Sequence, residues 1–229
     1  MSYKRLIPCI FILGGKAVKW FDDPTVVSED VIALAKEYSD NGADELLVFD
    51  LSSTDQDHDE SIELMKKINR VIRIPMVAGG NVKRQEDVKK ILYAGAKRAI
   101  LNFSKQDSPK LMEDAAKRFG KEKIAVSLHD FDALFKHQHK IEECCGEIVF
   151  MHRLDLDSVM NVTDIPCVIL TDTMDERELF KILKCPGVKG LSGQYVSRTD
   201  MDLSTFKEKC TAQDIKMTSF ESIMEFSQF

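Results

Sequence analysis

The sequence predicts an α/β fold, a (β/α)8 TIM barrel. Short apolar runs alternate with amphipathic segments along the whole chain, an order typical of parallel strands joined by crossover helices. Eight strand-then-helix units fit into about 210 residues, at the small end of the range for such barrels. The runs show little polar alternation, which indicates strands buried on both faces. A doubly wound open sheet of eight strands would have the same element order and is the alternative.

Turn and capping residues mark the ends of the predicted strands and helices. Strands are predicted at residues 6–13, 46–49, 74–78, 99–101, 124–128, 148–151, 167–170 and 188–191. Helices are predicted at residues 31–38, 62–71, 82–94, 108–119, 131–144, 176–183 and 203–210. A hairpin-like return is expected over residues 17–20, Ser28 is expected to cap the first helix, and the polar stretch 53–60 is expected to be a loop. Residues 156–160 are too few for a full crossover helix, so the second half of the barrel is predicted to be shortened.

The charge balance argues against two classes of partner. The chain has 32 basic and 38 acidic residues, a net charge of −6, which gives no electrostatic reason to expect nucleic acid or an anionic membrane. No apolar run approaches the ~20 residues that span a bilayer. Six cysteines occur without a CxxC pair or a secretory signal, which favours a reduced, cytoplasmic setting.

The chain is predicted to be a single domain over residues 1–229, because no linker or low-complexity segment interrupts it. The apolar segment 219–229 looks unfinished. It suggests a piece of a longer multidomain chain, and a terminal docking helix is the alternative.

The stretch 74–104 carries the strongest functional signal. It predicts a strand that ends at Gly79 and Gly80, a helix, and a second strand that ends near Asn102. The carboxyl ends of parallel strands lie on one face, so both loops are expected to serve one site. Paired glycines allow backbone N–H groups to approach an anion closely, and the helix start adds its dipole. A tight turn without a ligand is the alternative.

Four motifs resemble the histidine-biosynthesis barrels, a ribulose-phosphate-binding type. They read RLIPCI…GGKAVKW, NGADELLVFDLSS, IPMVAGGNV and AGAKRAILNFS. The family includes the cyclase subunit of imidazole glycerol phosphate synthase and the phosphoribosylformimino-imidazolecarboxamide ribotide isomerase. The chain also resembles the amino-terminal barrel-like region of some bacterial phosphoribosyl-AMP cyclohydrolase and phosphoribosyl-ATP pyrophosphatase fusions.

The resemblance implies a phosphorylated ribosyl ligand with one phosphate in each half of the barrel. The first phosphate site falls on Gly79, Gly80, Asn81, Asn102 and Ser104. In the second half, Thr171, Asp172 and Thr173 stand where the family has Ser-Gly-Gly, and only Gly193 matches. An aspartate there would repel a phosphate dianion, so one phosphate site is expected to be retained.

The resemblance also implies which residues carry the chemistry. Phe11 stands where the family has an aspartate at the end of the first strand, and phenylalanine cannot transfer a proton. The second acidic position falls on His129, followed by Asp130, whereas Lys19 and Asp50 match. Two functions follow. The first is a binding or scaffolding domain that lacks the usual catalytic aspartates. The alternative is an active lyase or isomerase that uses these four residues.

The resemblance places a ring of charges at the other end of the barrel, on Arg5, Glu45, Arg98 and Glu147. In the cyclase this is where a glutaminase subunit docks and ammonia enters. A buried, salt-bridged plug is the favoured interpretation here.

No cofactor or metal is expected. A metal set that includes Asp50, His129, His152 and Asp172 has no local spacing signature, and the acidic stretch 53–60 lacks calcium-loop spacing. The expected partners are the phosphorylated small molecule and, if present, a glutaminase or fused histidine-pathway domains.

Overall fold

Strands and helices alternate as the sequence predicts. The computed structural model describes residues 3–103, 108–129, 131–151 and 163–218. The strands are β1 (Arg5–Ile7), β2 (Cys9–Leu13), β3 (Lys16–Trp20), β4 (Asp23–Ser28), β5 (Leu46–Asp50), β6 (Met76–Gly79), β7 (Arg98–Asn102), β8 (Ile124–Leu128), β9 (Glu147–Met151), β10 (Cys167–Thr171) and β11 (Val188–Gly193). The helices are α1 (Val31–Asp40), α2 (Asp55–Val71), α3 (Gln85–Tyr93), α4 (Ser108–Phe119), α5 (Phe131–Cys144), α6 (Glu176–Lys184) and α7 (Leu203–Thr211). The segments 156–160 and 219–229 lie outside the described residues.

The sheet closes into a barrel at Pro8. On one side of this proline β1 pairs in parallel with β11, and on the other side β2 pairs in parallel with β5. Proline has no N–H to donate, so it separates the two ladders. Its carbonyl oxygen accepts from Leu47 N at 2.9 Å. One extended stretch therefore joins the two ends of the sheet, which confirms the (β/α)8 barrel and excludes the doubly wound alternative.

The core has two layers because side chains alternate along each strand. Ile7 and Phe11 belong to the cluster inside the barrel, whereas Leu6, Ile10 and Ile12 belong to the cluster between strands and helices. The inner cluster also contains Cys9, Val18, Trp20, Leu47, Phe49, Val77, Ile100, Ala125, Val149, Met151, Val168 and Leu170. An eight-stranded barrel has an interior that side chains fill, and these residues fill it here.

The hairpin predicted after the first strand is confirmed and is longer than expected. β3 pairs antiparallel with β2, and β4 pairs antiparallel with β3. Gly14 and Gly15 make the turn with φ values of 57° and 78°, a conformation that glycine adopts without strain. The hairpin places Trp20 and Phe21 against the first strand near the carboxyl-end mouth.

Helix α1 begins at Val31 as predicted, but its capping residue differs from the prediction. Ser28 is not the cap of α1: Asp30 Oδ1 accepts from Ile32 N at 3.0 Å and Ala33 N at 2.9 Å, while Ser28 Oγ donates to Asp30 O. Either residue type can cap a helix, so composition alone does not choose between them.

The stretch 53–60 is not a loop, because α2 begins at Asp55 and is capped by Thr54. The carboxylates of Asp55 and Asp57 in its first turn interact favourably with the helix dipole. The inward face of this first part carries the polar residues His58 and Ser61, so the apolar period that reveals a helix is missing there.

Lys4 carries a prediction for the pH dependence of stability. Its buried Nζ donates to the carbonyl oxygens of Cys185 and Val188, next to the end of α6. Burial, assisted by the charge of Lys189, lowers the pKa of Lys4 from 10.5 to about 8. Between these values the unfolded chain binds the proton that the folded chain has lost, so stability rises with pH. The unfolding free energy of wild type minus that of Lys4→Met is therefore expected to increase from pH 8 to 10.5. Urea titrations across this range measure it, and a constant difference would contradict the assignment.

Candidate functional site

A cavity of about 280 Å³ opens at the carboxyl ends of β5 to β9. Its lining residues are Phe21, Phe49, Asp50, Leu51, Gly80, Asn81, Ile100, Asn102, Ser127, His129 and Met151. Gly80, Asn81 and Asn102, which the sequence assigns to one phosphate site, therefore line the same cavity as His129, which it singled out separately. The volume is close to the lower end of the range for small-molecule sites.

Gly80 and Asn81 form the turn after β6 and line this cavity. Gly80 has φ +91°, and a Cβ at this position would lie 2.0 Å from the carbonyl oxygen of Asp50. Only glycine therefore fits. The parallel pairing of Gly79 with Ile100 directs the N–H of Gly80 to the carbonyl oxygen of Ile100, whereas among the described residues no backbone carbonyl accepts from Asn81 N. Gly79 lies just before them, where a Cβ would lie 2.7 Å from the carbonyl oxygen of Ile100, so it permits close strand packing and does not line the cavity.

Asn81 links two loops of the mouth. It has φ +50°, which asparagine tolerates better than most residues. Its side-chain amide donates to Ser52 Oγ at 3.0 Å and to Thr54 O at 3.3 Å. These bonds fix the loop after β6 to the loop after β5.

Asp50 is the centre of a buried polar network. Its carboxylate accepts from Ser52 N, Ser52 Oγ and Ser61 Oγ at 2.8 to 2.9 Å, and His58 Nδ1 lies 2.6 Å from Oδ2. A carboxylate has about four lone-pair sites, so these four partners fill its accepting capacity. The sequence singled out Asp50 but missed these partners. A polar i, i+3 pair, His58 and Ser61, on an otherwise apolar helix face is the signal that identifies them.

An aromatic block occupies the first-strand side of the mouth. Phe11 is buried at 1% exposure, stacks on Phe49 with ring centroids 5.6 Å apart, and makes edge contacts with Trp20 and Phe21. Such packing adds to the stability gained from burial. Phe21 extends from this block to the wall of the cavity.

The other predicted site residues lie in different settings. His129 lines the cavity beside Ser127, whereas Lys19 is on the hairpin, half exposed, and forms an ion pair with Asp23 at 3.0 Å. Lys19 does not line the cavity. Ser104, Asp130 and His152 lie outside the described residues, so their roles remain predictions.

In the second half of the mouth, the ends of β10 and β11 are bonded to each other. Gly193 has φ +122°, and a Cβ there would lie 1.8 Å from the carbonyl oxygen of Thr171. Gln194 N donates to Thr171 O at 3.1 Å, and Thr173 N donates to Thr171 Oγ1 at 3.2 Å. Both threonines are buried, whereas Asp172 is exposed.

The comparison with known proteins agrees with this architecture. The profile of the family described as histidine biosynthesis protein matches residues 5–166. This chain belongs to the histidine biosynthesis protein family.

Several curated relatives are named imidazole glycerol phosphate synthase subunit HisF. The chain is 36% identical to the protein of Flavobacterium psychrophilum over 129 residues, which cover 56% of this chain and 51% of the relative. It is 34% identical to that of Exiguobacterium sibiricum over 129 residues, 56% of this chain and 52% of the relative. It is 33% identical to that of Campylobacter concisus over 126 residues, 55% of this chain and 50% of the relative. The matched part of the chain thus spans about half the length of these relatives.

At the amino ends of its strands, this histidine-biosynthesis barrel has the expected ring of charges. Arg5 forms ion pairs with Glu45 and Glu147, and Arg98 Nη1 lies 3.5 Å from Glu147 Oε2 and 3.9 Å from Glu45 Oε1. Lys97 Nζ adds a contact to Glu45 at 3.2 Å. Both glutamates are buried. The pKa of Arg5 is raised, because the two carboxylates outweigh the opposing effect of burial.

Three further properties of this family member concern metal binding, its cysteines and membrane-spanning helices. Within the ranges given above, no group of three or more His, Cys, Asp or Glu side chains is arranged to hold a metal ion. All six cysteines are free thiols. In the same part of the chain, no helix has both the length and the apolar character needed to cross a bilayer.

Proposed function

We propose that this chain is a cyclase-type barrel of histidine biosynthesis that binds a phosphorylated ribosyl compound at its carboxyl-end mouth. The observation that carries the proposal is the cavity that the turn of Gly80 and Asn81 lines together with Asn102 and His129. Backbone N–H groups at a glycine turn before a helix are a common way to bind a phosphate.

The neighbouring helix start supports this assignment of the amides. Lys83 N and Arg84 N both donate to Asp87 Oδ2 at 3.0 Å, so the first turn of α3 is capped internally. The proposed phosphate contact therefore lies at the turn before it, through Asn81 N. Asn102, at the end of the next strand, lines the same cavity and is the proposed side-chain partner of this phosphate or of the adjacent sugar.

The reaction that we propose is the lyase-type chemistry of imidazole glycerol phosphate synthase, the name that the relatives carry. His129 lies in the cavity, and an imidazole exchanges protons near neutral pH. Asp130, which follows it, and Asp50 are the proposed carboxylates, and Lys19 is the proposed cation. Because the carboxylate of Asp50 already has four hydrogen-bond partners, its proposed role among these residues is to hold the loops that bind the phosphate.

A binding domain without turnover is the second candidate, and two observations favour it. Phe11 occupies the place of the first family aspartate and is packed among aromatic rings. Asp50 has no accepting capacity left for a substrate proton. Such a domain would serve a larger histidine-pathway protein.

Ligand binding tests what both candidates share. Ribose 5-phosphate is expected to bind in calorimetric titrations, and Asn102→Ala is expected to weaken its binding at least tenfold, because a hydrogen bond to a charged group contributes roughly 1.5 to 3 kcal/mol. Asn69→Ala, at an exposed position on α2, is the matched control. Absence of binding to wild type, or equal weakening in both variants, would contradict the proposal.

Turnover separates the two candidates. The protein is incubated with the cyclase substrate plus ammonia, and separately with the isomerase substrate. Lyase chemistry is expected to give product that His129→Gln abolishes while ribose 5-phosphate binding persists. Binding without product in either assay would leave only the binding domain.

The ring of charges at the amino ends supports a proposed partner, a glutaminase. Its four side chains are paired with one another, so entry of ammonia along the barrel axis would require these pairs to separate. Because separating buried pairs is costly, the unliganded barrel is expected to stay closed at this end.

A further inference from the structure

We propose that a second pocket, at the amino-end face of the barrel, binds a diphosphate group. The pocket lies between the residue before β1, the turn from α6 to β11 and the residues that follow α7. It shares no lining residue with the cavity at the carboxyl-end mouth, so it is a separate site and does not depend on the proposed function. Its volume of about 330 Å³ is at the lower end of the range for small-molecule sites.

The lining of this pocket is strongly basic. Four lysines and one aspartate give it a net charge of +3 at pH 7, in a chain whose own net charge is −6: they are Lys4, Lys184, Lys189, Asp214 and Lys216. A single phosphate carries about −1.5 to −2 at pH 7, so two linked phosphates match this lining more closely than one. Lysine binds phosphate oxygens as a point charge, whereas arginine, which suits planar carboxylates, is absent from the described lining.

The buried ammonium group of Lys4 carries the proposal. Lys4 is only 7% exposed, and its Nζ donates to Cys185 O at 2.6 Å and to Val188 O, which are both neutral acceptors. An ammonium group has three donors. In the described part of the chain the third donor has no acceptor, and no carboxylate pairs with this group. Because a buried charge is normally paired with an opposite charge, the missing partner is the bound anion.

The other lysines of the pocket have no carboxylate partner either. Lys189 Nζ donates to Pro186 O at 2.7 Å, and Lys184 and Lys216 form no ion pair with any described residue. Burial, and then the charge of Lys189, lower the pKa of Lys4 to about 8, so the two ammonium groups repel each other. An anion between them replaces this repulsion by attraction.

Capping of α6 explains only part of this cluster. Lys4 and Lys184 lie at the carboxyl end of that helix, where the dipole favours positive charge. Lys189 is on β11 and Lys216 follows α7, so the dipole of α6 does not account for them.

Backbone hydrogen bonds fix the walls of the pocket. Lys4 N donates to Lys216 O at 2.8 Å, and Thr218 N donates to Lys4 O at 2.9 Å. Val188 N donates to Cys185 O at 3.2 Å and closes the turn after α6. The segments that carry the lysines are therefore in place before a ligand binds, which reduces the entropic cost of binding.

Inorganic pyrophosphate is the probe, titrated by calorimetry into the full 229-residue chain. At about 0.15 M ionic strength, attraction between distant exposed charges is largely screened. Pyrophosphate is expected to bind at least tenfold more tightly than inorganic phosphate, because it meets more of the lysines. Equal affinity for the two anions, or no binding of pyrophosphate, would overturn the proposal.

Three variants place the bound pyrophosphate. Lys4→Met removes the buried charge and is expected to weaken binding at least tenfold, and Lys216→Met, at an exposed wall position, about fivefold. Lys36→Met, at an exposed lysine on α1, removes the same charge outside the pocket and is the matched control, expected to change nothing. Thermal unfolding checks that each variant is folded.

Two results with these variants would overturn the proposal. Equal weakening in Lys216→Met and Lys36→Met would show attraction to the overall charge and not to this pocket. Loss of pyrophosphate binding in Asn102→Ala, with none in Lys216→Met, would place the probe in the carboxyl-end mouth instead.

Discussion

Replacing Glu45 by glutamine is expected to lower the free energy of unfolding by about 3 to 5 kcal/mol. The carboxylate of Glu45 is buried and faces Arg5, Lys97 and Arg98. Without it, Glu147 alone would face the guanidinium groups of Arg5 and Arg98, both of which are largely buried. A typical domain has about 5 to 15 kcal/mol in total, so this single change would remove a large part of the stability.

Equilibrium unfolding in urea measures this effect. Lys36→Ala is the matched control, because it breaks an exposed i, i+4 pair with Asp40 on α1. Exposed pairs of this kind contribute about 0.3 to 0.5 kcal/mol. If Glu45→Gln and Lys36→Ala destabilised the protein equally, the charged ring would not be a structural plug.

Replacing Gly80 by alanine is expected to remove phosphate binding and to destabilise the fold. The new Cβ would lie 2.0 Å from the carbonyl oxygen of Asp50, so the turn must move. We expect a loss of about 2 to 4 kcal/mol, from the left-handed backbone conformation and from overpacking together. Displaced amides no longer converge on the anion, so affinity for ribose 5-phosphate should fall at least tenfold. Gly80→Asp is expected to be worse, because it adds a negative charge.

Gly15→Ala separates strain from steric overlap. Gly15 has φ +78°, but nothing lies within 4 Å of a Cβ there. This variant is expected to lose about 1 to 2 kcal/mol from backbone strain alone and to keep its affinity for ribose 5-phosphate. An unchanged affinity in Gly80→Ala, measured by calorimetry, would mean that this loop is only a turn.

The sequence predicted most of the barrel because its strands are continuous apolar runs that end at polar or glycine residues. A strand that is buried on both faces is a continuous apolar run whichever strands it pairs with, so it can be found from the sequence alone. All eight predicted strand positions are confirmed. The start of α2 was missed for a physical reason. Its buried face carries His58 and Ser61, which face Asp50 and not an apolar layer.

The candidate site was predictable only in part. The positions of Gly80, Asn102 and His129 at one mouth follow from parallel strand topology. The partners of Asp50 and the stacking of Phe11 on Phe49 do not, because they depend on contacts between different elements. Lys19 matches the family motif, yet its side chain pairs with Asp23 on the hairpin and does not line the cavity.

The closure of the barrel at Pro8 has a consequence for folding. The stretch that contains β1 and β2 pairs with both ends of the sheet, β1 with β11 and β2 with β5. β1 therefore cannot pair until the chain has been synthesised as far as Gly190. Until then β1 and the growing sheet present open edges, and such edges are sites of mispairing between chains. Because closing so long a loop is entropically costly and slow, the pairing of β1 with β11 is expected to form late. A nascent chain stalled before β11 should therefore aggregate or bind chaperones, whereas release of the complete strand should end this vulnerability.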